Sequence, residues 1–253
     1  MNRDRMALLR THDWPRTDAP GDVRALLPRQ GEVVVWFAHL PPHPASRERS
    51  LASLSDDERQ RMARFLQPAD QERFLAARGL LRELLGSWLR TPPDAVRFVT
   101  GPRGKPLLAP GHAPPLHFNV SHSGDIVAIA LSATFAVGVD VEMLGRLDDW
   151  RAVADRIFSP REKAEMDTVP HGERHRAFLN AWTRKEAVLK ASGEGLVDDL
   201  ASIGVSLAPG KPARLIAAGP VGPRTSHYDL FDLPAPIGYV AALATLETTP
   251  AAP

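Results

Sequence analysis

Glu186 and Lys190 stand four residues apart in Trp182–Leu196, WTRKEAVLKASGEGL. The segment reads as a helix, and residues at i and i+4 share one helix face. A carboxylate beside an ammonium suits a magnesium-bound phosphate: one group holds the metal, the other neutralises phosphate oxygens. A surface Glu–Lys ion pair has the same spacing, and on this segment alone it is the commoner case. Upstream, VGVDVE (Val137–Glu142) adds two carboxylates, Asp140 and Glu142, one residue apart. On a strand both leave the same face. Two carboxylates on one face are costly unless a cation or protons separate them. With Glu186 they would form an oxygen-only set, and hard oxygen donors without His or Cys point to magnesium. The alternative is a strand end in solvent, its acids paired with nearby arginines.

FNVSHS (Phe118–Ser123) presents Asn119, Ser121 and His122. Adjacent Ser and His on an extended chain point apart, and no G-x-S-x-G elbow is present, so a hydrolase triad is disfavoured. His122 suits a hydrogen bond to phosphate, or equally a turn or cap. Asn119 and Ser121, at i and i+2, offer short polar groups along one edge. GPRGKP (Gly101–Pro106) is a loop presenting Arg103 and Lys105, either to an anion or to solvent. Arg73, Arg78 and Arg82 lie on a helical stretch, with Arg78 and Arg82 on one face. Arg fits phosphate through its fixed fork of donors, and a solvated basic face is the commoner use.

The elements that must position these groups follow from pattern. Residues 1–30 are polar and Pro-containing and read as a loosely held arm. EVVVWFAHL (Glu32–Leu40) reads as a strand, and PPHPAS then breaks the chain. Ser55–Glu58 is a capping box opening a helix to about Leu66, and a second helix runs from about Ala69 to Leu89. Strands are expected at Val96–Val99, His117–Val120, Ile126–Leu131 and Phe135–Val141. Ser159–Glu162 is another capping box, with Pro160 at the first helical position. A long helix runs from about Gly172 to Ala191, with Gly193 as C-cap. Strands near 203–207, 213–217, 227–232 and 239–244 finish the chain. Each half is thus strand, helices, then a strand meander. This predicts an α+β fold of two similar halves related by a pseudo-twofold, 1–134 and 135–253, with a ligand cleft between them.

Bulk properties set the limits. At 253 residues, 43% hydrophobic and 24% charged, the chain has ordinary globular composition. A net charge of +1 with no basic block argues against nucleic-acid or membrane-surface binding. An anionic ligand must therefore be held by a local cluster. The absence of cysteine excludes disulfides, thiolate metal sites and a Cys nucleophile, and suits a reducing cytoplasm. The N-terminus lacks a signal-peptide apolar core.

Taken together, RFLAARGLLREL, GKP, FNVSHSGD, VGVDVE and WTRKEAVLKASGEGL resemble the 4′-phosphopantetheinyl transferase family, in its large pseudo-dimeric, surfactin-synthetase-activating type. The matching pieces occur in the family's order across residues 73–196, and G-x-D-x-E followed by W-x-x-K-E-A-x-x-K is the specific part. The resemblance implies coenzyme A bound between two α+β halves. It implies transfer of the phosphopantetheine arm to a serine of an apo acyl or peptidyl carrier protein, leaving adenosine 3′,5′-bisphosphate. Asp140, Glu142 and Glu186 would hold Mg2+, with Mn2+ as its substitute, and Glu186 would also act as base. Lys190 would neutralise the pyrophosphate, with Lys185 assisting. Arg78, Ser121 and His122 would contact the 3′-phosphate and adenosine side. Arg103 and Lys105 would flank the nucleotide, and Asn119 would shape its pocket. The nucleophile would come from the carrier, docking near Arg151–Phe158 and Ser159–Pro170. A cytoplasmic monomer is expected, since two fused halves make a dimer unnecessary. The alternatives are a magnesium-dependent phosphohydrolase and a non-catalytic coenzyme A-binding module.

Overall fold

A computed structural model describes residues 8–14, 23–101, 105–111, 116–145, 149–193, 200–219 and 228–247. Strands β1 (Leu8–Asp13), β2 (Glu32–His39), β5 (His117–Ser123) and β6 (Ile126–Ser132) form one sheet in the order β1-β2-β6-β5. Strands β7 (Phe135–Met143), β10 (Tyr228–Asp232) and β11 (Tyr239–Glu247) form another, ordered β10-β11-β7. Two short hairpins, β3 (Phe98–Thr100) with β4 (Pro106–Leu108) and β8 (Ile203–Val205) with β9 (Leu215–Ala218), lie apart from these sheets. The helices are α1 (Pro44–Ser53), α2 (Asp56–Ala63) and α3 (Pro68–Leu89), then α4 (Trp150–Ile157), α5 (Pro160–Thr168) and α6 (Arg174–Ser192).

The chain is thus mixed α+β, and its topology repeats. In sheet order β2-β6-β5 matches β7-β11-β10, each group enclosing three helices and a hairpin in the chain. The helix starts repeat as well. Ser55 and Ser159 cap α2 and α5 through complete capping boxes with Glu58 and Glu162.

Apolar side chains fill three interfaces between four layers. Leu81, Leu84 and Leu85 of α3 pack on Val34, Trp36, Val127 and Ile129 of the first sheet. The opposite face of that sheet (Val33, Val35, Phe37, Ala128) packs on Val137, Val139, Val141 and Leu243 of the second. Val240, Ala242 and Ala244 then meet Phe178, Ala181 and Val188 of α6. Because β2 and β6 are covered on both faces, their sequences are continuous apolar runs rather than alternations.

The expected strands and long helices are present, with displaced limits and four departures. Residues 1–30 are not wholly a loose arm: β1 pairs in parallel with β2 from Leu8↔Glu32 to Asp13↔Phe37, Arg10 bonds Glu32, and Val23 and Leu27 are buried. PPHPAS does not only break the chain; Pro44 opens α1, where Ala45 N donates to His43 Nδ1. Trp150–Ile157 is a helix whose Trp150, Ala154 and Ile157 are buried. Finally β5 continues through Ser123, which puts the whole SHS motif on a strand.

The two sheets meet edge to edge at β5 and β7, and side chains replace the backbone ladder there. Val139 N donates to Asn119 Oδ1 at 2.9 Å, Val141 N to Ser121 Oγ at 3.4 Å and Met143 N to Ser123 Oγ at 3.1 Å. Alternate residues of one strand thus satisfy alternate amides of the other, which a buried edge requires.

Candidate active site

The junction of β5, β7 and α6 gathers the acidic and basic residues singled out above. Gly138, Asp140 and Glu142 alternate along β7 and so share a face. A Cβ on Gly138 would lie 2.0 Å from Ala187 O and 2.3 Å from Ala191 N. Helix α6 therefore rests directly on β7 at Gly138. The helix is buried around most of its circumference, but Trp182, Glu186 and Lys190 form a partly exposed stripe at i, i+4 and i+8. That stripe brings Lys190 onto Asp140.

Asp140 is 4% exposed. Its Oδ1 accepts from Lys190 Nζ at 2.6 Å and from Ser121 Oγ at 2.8 Å, while its buried Oδ2 has no hydrogen-bond partner among the described residues. Lys190 Nζ also donates to Ser121 Oγ and to Val139 O, each at 3.2 Å. Glu142 Oε2 accepts from Ser123 Oγ at 2.6 Å. Burial raises Glu186 above the usual carboxylate range. Asp140 and Glu142 push it further up, and Lys190 opposes them. Three carboxylates thus share one partly desolvated neighbourhood with one ammonium.

The orphaned Asp140 Oδ2 and the mutual repulsion felt at Glu186 suit a hard divalent cation. Among the described residues no three acidic or imidazole groups already converge on one point. The carboxylates form a neighbourhood rather than a finished coordination shell, and Lys190 occupies one of its oxygens.

Lys105 enters from the hairpin side. Its Nζ donates to Lys190 O near the end of α6 at 2.6 Å. Burial first, then the Lys190 charge, lowers its pKa. The two cations therefore feel each other's charge, an arrangement that favours an anionic ligand. His117, itself lowered by burial and by Lys105, lines a 260 Å³ cavity with Lys105, Phe118 and Val137.

Arg78 and His122 meet elsewhere. They line a 240 Å³ cavity between α3 and β5, with Arg61, Arg73, Phe74 and Val120. The Arg78 guanidinium stacks over the Phe98 ring at 4.9 Å and contacts Glu58 at 3.4 Å, and its buried Nη1 has no hydrogen-bond partner among the described residues. Strand alternation explains the division: Ser121 faces the carboxylates, and His122 faces the arginines across the strand.

Both halves of the chain match profiles of known proteins. Residues 136–244 match the 4′-phosphopantetheinyl transferase superfamily, and residues 40–134 match the family described as 4′-phosphopantetheinyl transferase, N-terminal. The 4′-phosphopantetheinyl transferase HetI of Nostoc sp. is 38% identical over 74% of this chain and 79% of its own length. The chain belongs to the 4′-phosphopantetheinyl transferase superfamily. Within it the transferase is of the surfactin-synthetase-activating type, with both halves on one chain. The 4′-phosphopantetheinyl transferase AcpT of Escherichia coli is 41% identical over 49% of the chain and 58% of its own length. A 4′-phosphopantetheinyl transferase of Bacillus subtilis is 29% identical over 66% of the chain and 72% of its own. The Chronobacterium ammoniagenes ACPS–CoA complex aligns with a TM-score of 0.34 at 23% identity, over 46% of this chain and 98% of that one.

Several expectations for the transferase need correction. Lys185 is not at the junction: it is fully buried, donating to Glu162 at 2.9 Å and to the carbonyls of Leu200 and Ile203. Arg82, given no role by the resemblance but expected on one face with Arg78, is structural, held by Glu58 at 2.7 Å and by Pro93 O and Val96 O. These two ion pairs repeat one device, a capping-box glutamate that receives a cation from the long helix. Asn119 is 8% exposed and bonds β7 rather than lining a pocket edge. Ser121 lies with Asp140 and Lys190, not with Arg78 and His122. Arg103 and the end of the last motif, residues 194–196, lie outside the described residues. Sequence reasoning missed Ser123, whose signal was its i+2 spacing from Ser121. It also missed the packing role of Gly138, whose signal was a glycine inside a valine-rich strand.

Proposed function

We propose that this protein transfers the 4′-phosphopantetheine arm of coenzyme A to a serine of an apo acyl or peptidyl carrier protein, magnesium-dependently, releasing adenosine 3′,5′-bisphosphate. The observation that carries this reading is the ion pair of Lys190 with Asp140 where the two sheets meet, with Glu186 near enough to feel the charges of Asp140, Glu142 and Lys190. Residues 1–134 and 135–253 are read as the two halves, with coenzyme A in the cleft between them.

Lys190 exchanges its bond to Asp140 for the pyrophosphate oxygens as charge builds on them, and Lys105 adds a second cation beside it. Glu186, with its raised affinity for protons, takes the proton of the carrier serine, directly or through a water. The serine oxygen bonds the β-phosphorus, the bond to the bridging oxygen breaks, and adenosine 3′,5′-bisphosphate departs. Phosphoryl transfer depends mainly on positioning and charge neutralisation, so these groups suffice without an internal nucleophile. Asp140, Glu142 and Glu186 would hold magnesium, which supplies neutralisation of the pyrophosphate when bound. The paired cavity of Arg78 and His122 suits the 3′-phosphate side of the ligand.

An acidic carrier would dock on the outward face of α4 and α5, where Arg151, Arg156 and Arg161 are exposed. Among the described residues no helix is long and apolar enough to cross a membrane. A cytoplasmic monomer is part of the reading, supported by the cysteine-free composition and by both halves lying on one chain.

The test is intact mass measurement of an apo carrier protein incubated with this protein, coenzyme A and magnesium. A gain of one phosphopantetheine, abolished by chelator, is expected. No gain across several carrier types overturns the reading, and phosphate release from nucleotides in its place would indicate a hydrolase.

A further inference from the structure

We infer that Ser123 is a positioning residue for Glu142, a buried serine on one sheet that sets a carboxylate of the other for cation binding. The inference rests on the reading of Asp140, Glu142 and Glu186 as metal ligands.

Ser123 is 1% exposed. A serine hydroxyl has one proton to give and two lone pairs. Met143 N donates to Ser123 Oγ at 3.1 Å, and Ser123 Oγ donates to Glu142 Oε2 at 2.6 Å. Glu142 and Met143 are consecutive, so the hydroxyl is gripped between an amide and the carboxylate just before it. With the amide on one lone pair, the proton is turned onto Oε2. A short O–H···O⁻ bond of this kind is charge-assisted and among the stronger protein hydrogen bonds. It fixes one oxygen of a flexible glutamate and so sets the direction of its carboxylate.

The serine is itself held in place. Gly124 follows it at φ +52, and a Cβ there would meet Tyr239 Oη at 2.6 Å and Met143 Sδ at 2.8 Å. Asp125 N donates to Tyr239 Oη at 3.0 Å. The turn after β5 is thereby seated on β7 and β11, and Ser123 inherits that register. Ser121 repeats the device on Asp140 but also accepts from Lys190, so its removal disturbs two groups together. Cation affinity in the second sheet accordingly depends on a strand of the first.

The experiment is Mn2+ titration by electron paramagnetic resonance with coenzyme A present, using wild type, Ser123→Ala, Ser123→Thr and each in a Glu142→Gln background. Ser123→Ala is expected to weaken Mn2+ about 10- to 100-fold, the usual effect of losing a partner that orients a ligand. Ser123→Thr, which keeps the hydroxyl, is expected to return close to wild type. In the Glu142→Gln background Ser123→Ala should cause no further loss, because its effect runs through that carboxylate. Metal-free coenzyme A affinity should stay unchanged. Wild-type affinity in Ser123→Ala overturns the inference while leaving the metal reading intact. So does a loss that persists undiminished in the Glu142→Gln background, which marks general loosening, as does an equal loss in Ser123→Thr. Where the Ala variant does not fold, the Thr variant decides alone: folded protein with wild-type Mn2+ affinity supports the inference, and a loss overturns it. Absence of Mn2+ binding in wild type overturns the metal reading, and the inference falls with it.

Discussion

Replacing Gly138 by Ala tests whether α6 is seated on β7 as the site requires. The new Cβ would stand 2.0 Å from Ala187 O, 2.3 Å from Ala191 N and 2.8 Å from Lys190 C. All three are backbone atoms, so no side chain can swing aside. Cβ contacts below 3.0 Å essentially do not occur, so the helix must retreat by at least about 1 Å. Overpacking of this kind costs about 1–3 kcal/mol, and backbone neighbours place it at the upper end. For a chain of this length that lowers Tm by roughly 6–12 °C. The same retreat stretches the 2.6 Å bond between Lys190 and Asp140 and carries Glu186 with it. A misplacement of about 1 Å costs on the order of 100-fold in rate. The assay pairs a thermal melt with the initial rate of carrier mass gain. Gly172→Ala serves as control, since its Cβ would meet nothing within 4 Å. Wild-type Tm and rate in Gly138→Ala would refute the seating of α6 and the site built on it.

Three further outcomes follow from the same geometry. Lys190→Ala leaves buried Asp140 with Ser121 alone; it should cost about 1–3 kcal/mol in urea unfolding, limited because Lys190 is itself partly exposed, and should lower kcat by about 100- to 1,000-fold. A rise in KM with unchanged kcat would contradict its role. Glu186→Gln should change stability with pH in the metal-free protein. The folded pKa of Glu186 is raised by burial and by Asp140, so its contribution is fully present below the unfolded value of 4.5 and is lost as pH rises through the folded value. The Tm of Glu186→Gln relative to wild type should therefore climb from pH 4.5 upward, and a flat difference would refute the assignment. Lys185→Ala should cost about 3–5 kcal/mol, measured by urea, because it strands buried Glu162, while the protein that remains folded keeps its coenzyme A affinity. Lost affinity at unchanged stability would return Lys185 to the site.

The motifs that carry the site were legible because their signals are local. The capping boxes at Ser55 and Ser159 fixed two helix starts, the apolar periodicity of α3 fixed one long helix, and Gly193 marked the end of α6. Asp140 and Glu142 share a face because a strand alternates, and Glu186 and Lys190 share one because a helix turns. What was not legible depends on distant partners. β1 is polar and unremarkable by itself, and becomes a strand by pairing with β2. The first turn of α1 looked like a breaker because Pro44 occupies the helical position that tolerates it. Lys185 and Lys190 both sit near carboxylates in the family motif. Only the fold shows that one points into the core at Glu162 and the other to the junction at Asp140. The resemblance placed Ser121 and His122 together on the 3′-phosphate side, yet both lie on β5, where strand alternation sends the serines and the histidine to opposite sides.

The most direct test is crystallographic. Crystals grown with coenzyme A and Mn2+ would be measured at the manganese absorption edge. The account predicts one anomalous peak bounded by Asp140, Glu142 and Glu186, with the coenzyme A pyrophosphate between it and Lys190. A peak away from those carboxylates, or a pyrophosphate remote from the β5–β7–α6 junction, would contradict it.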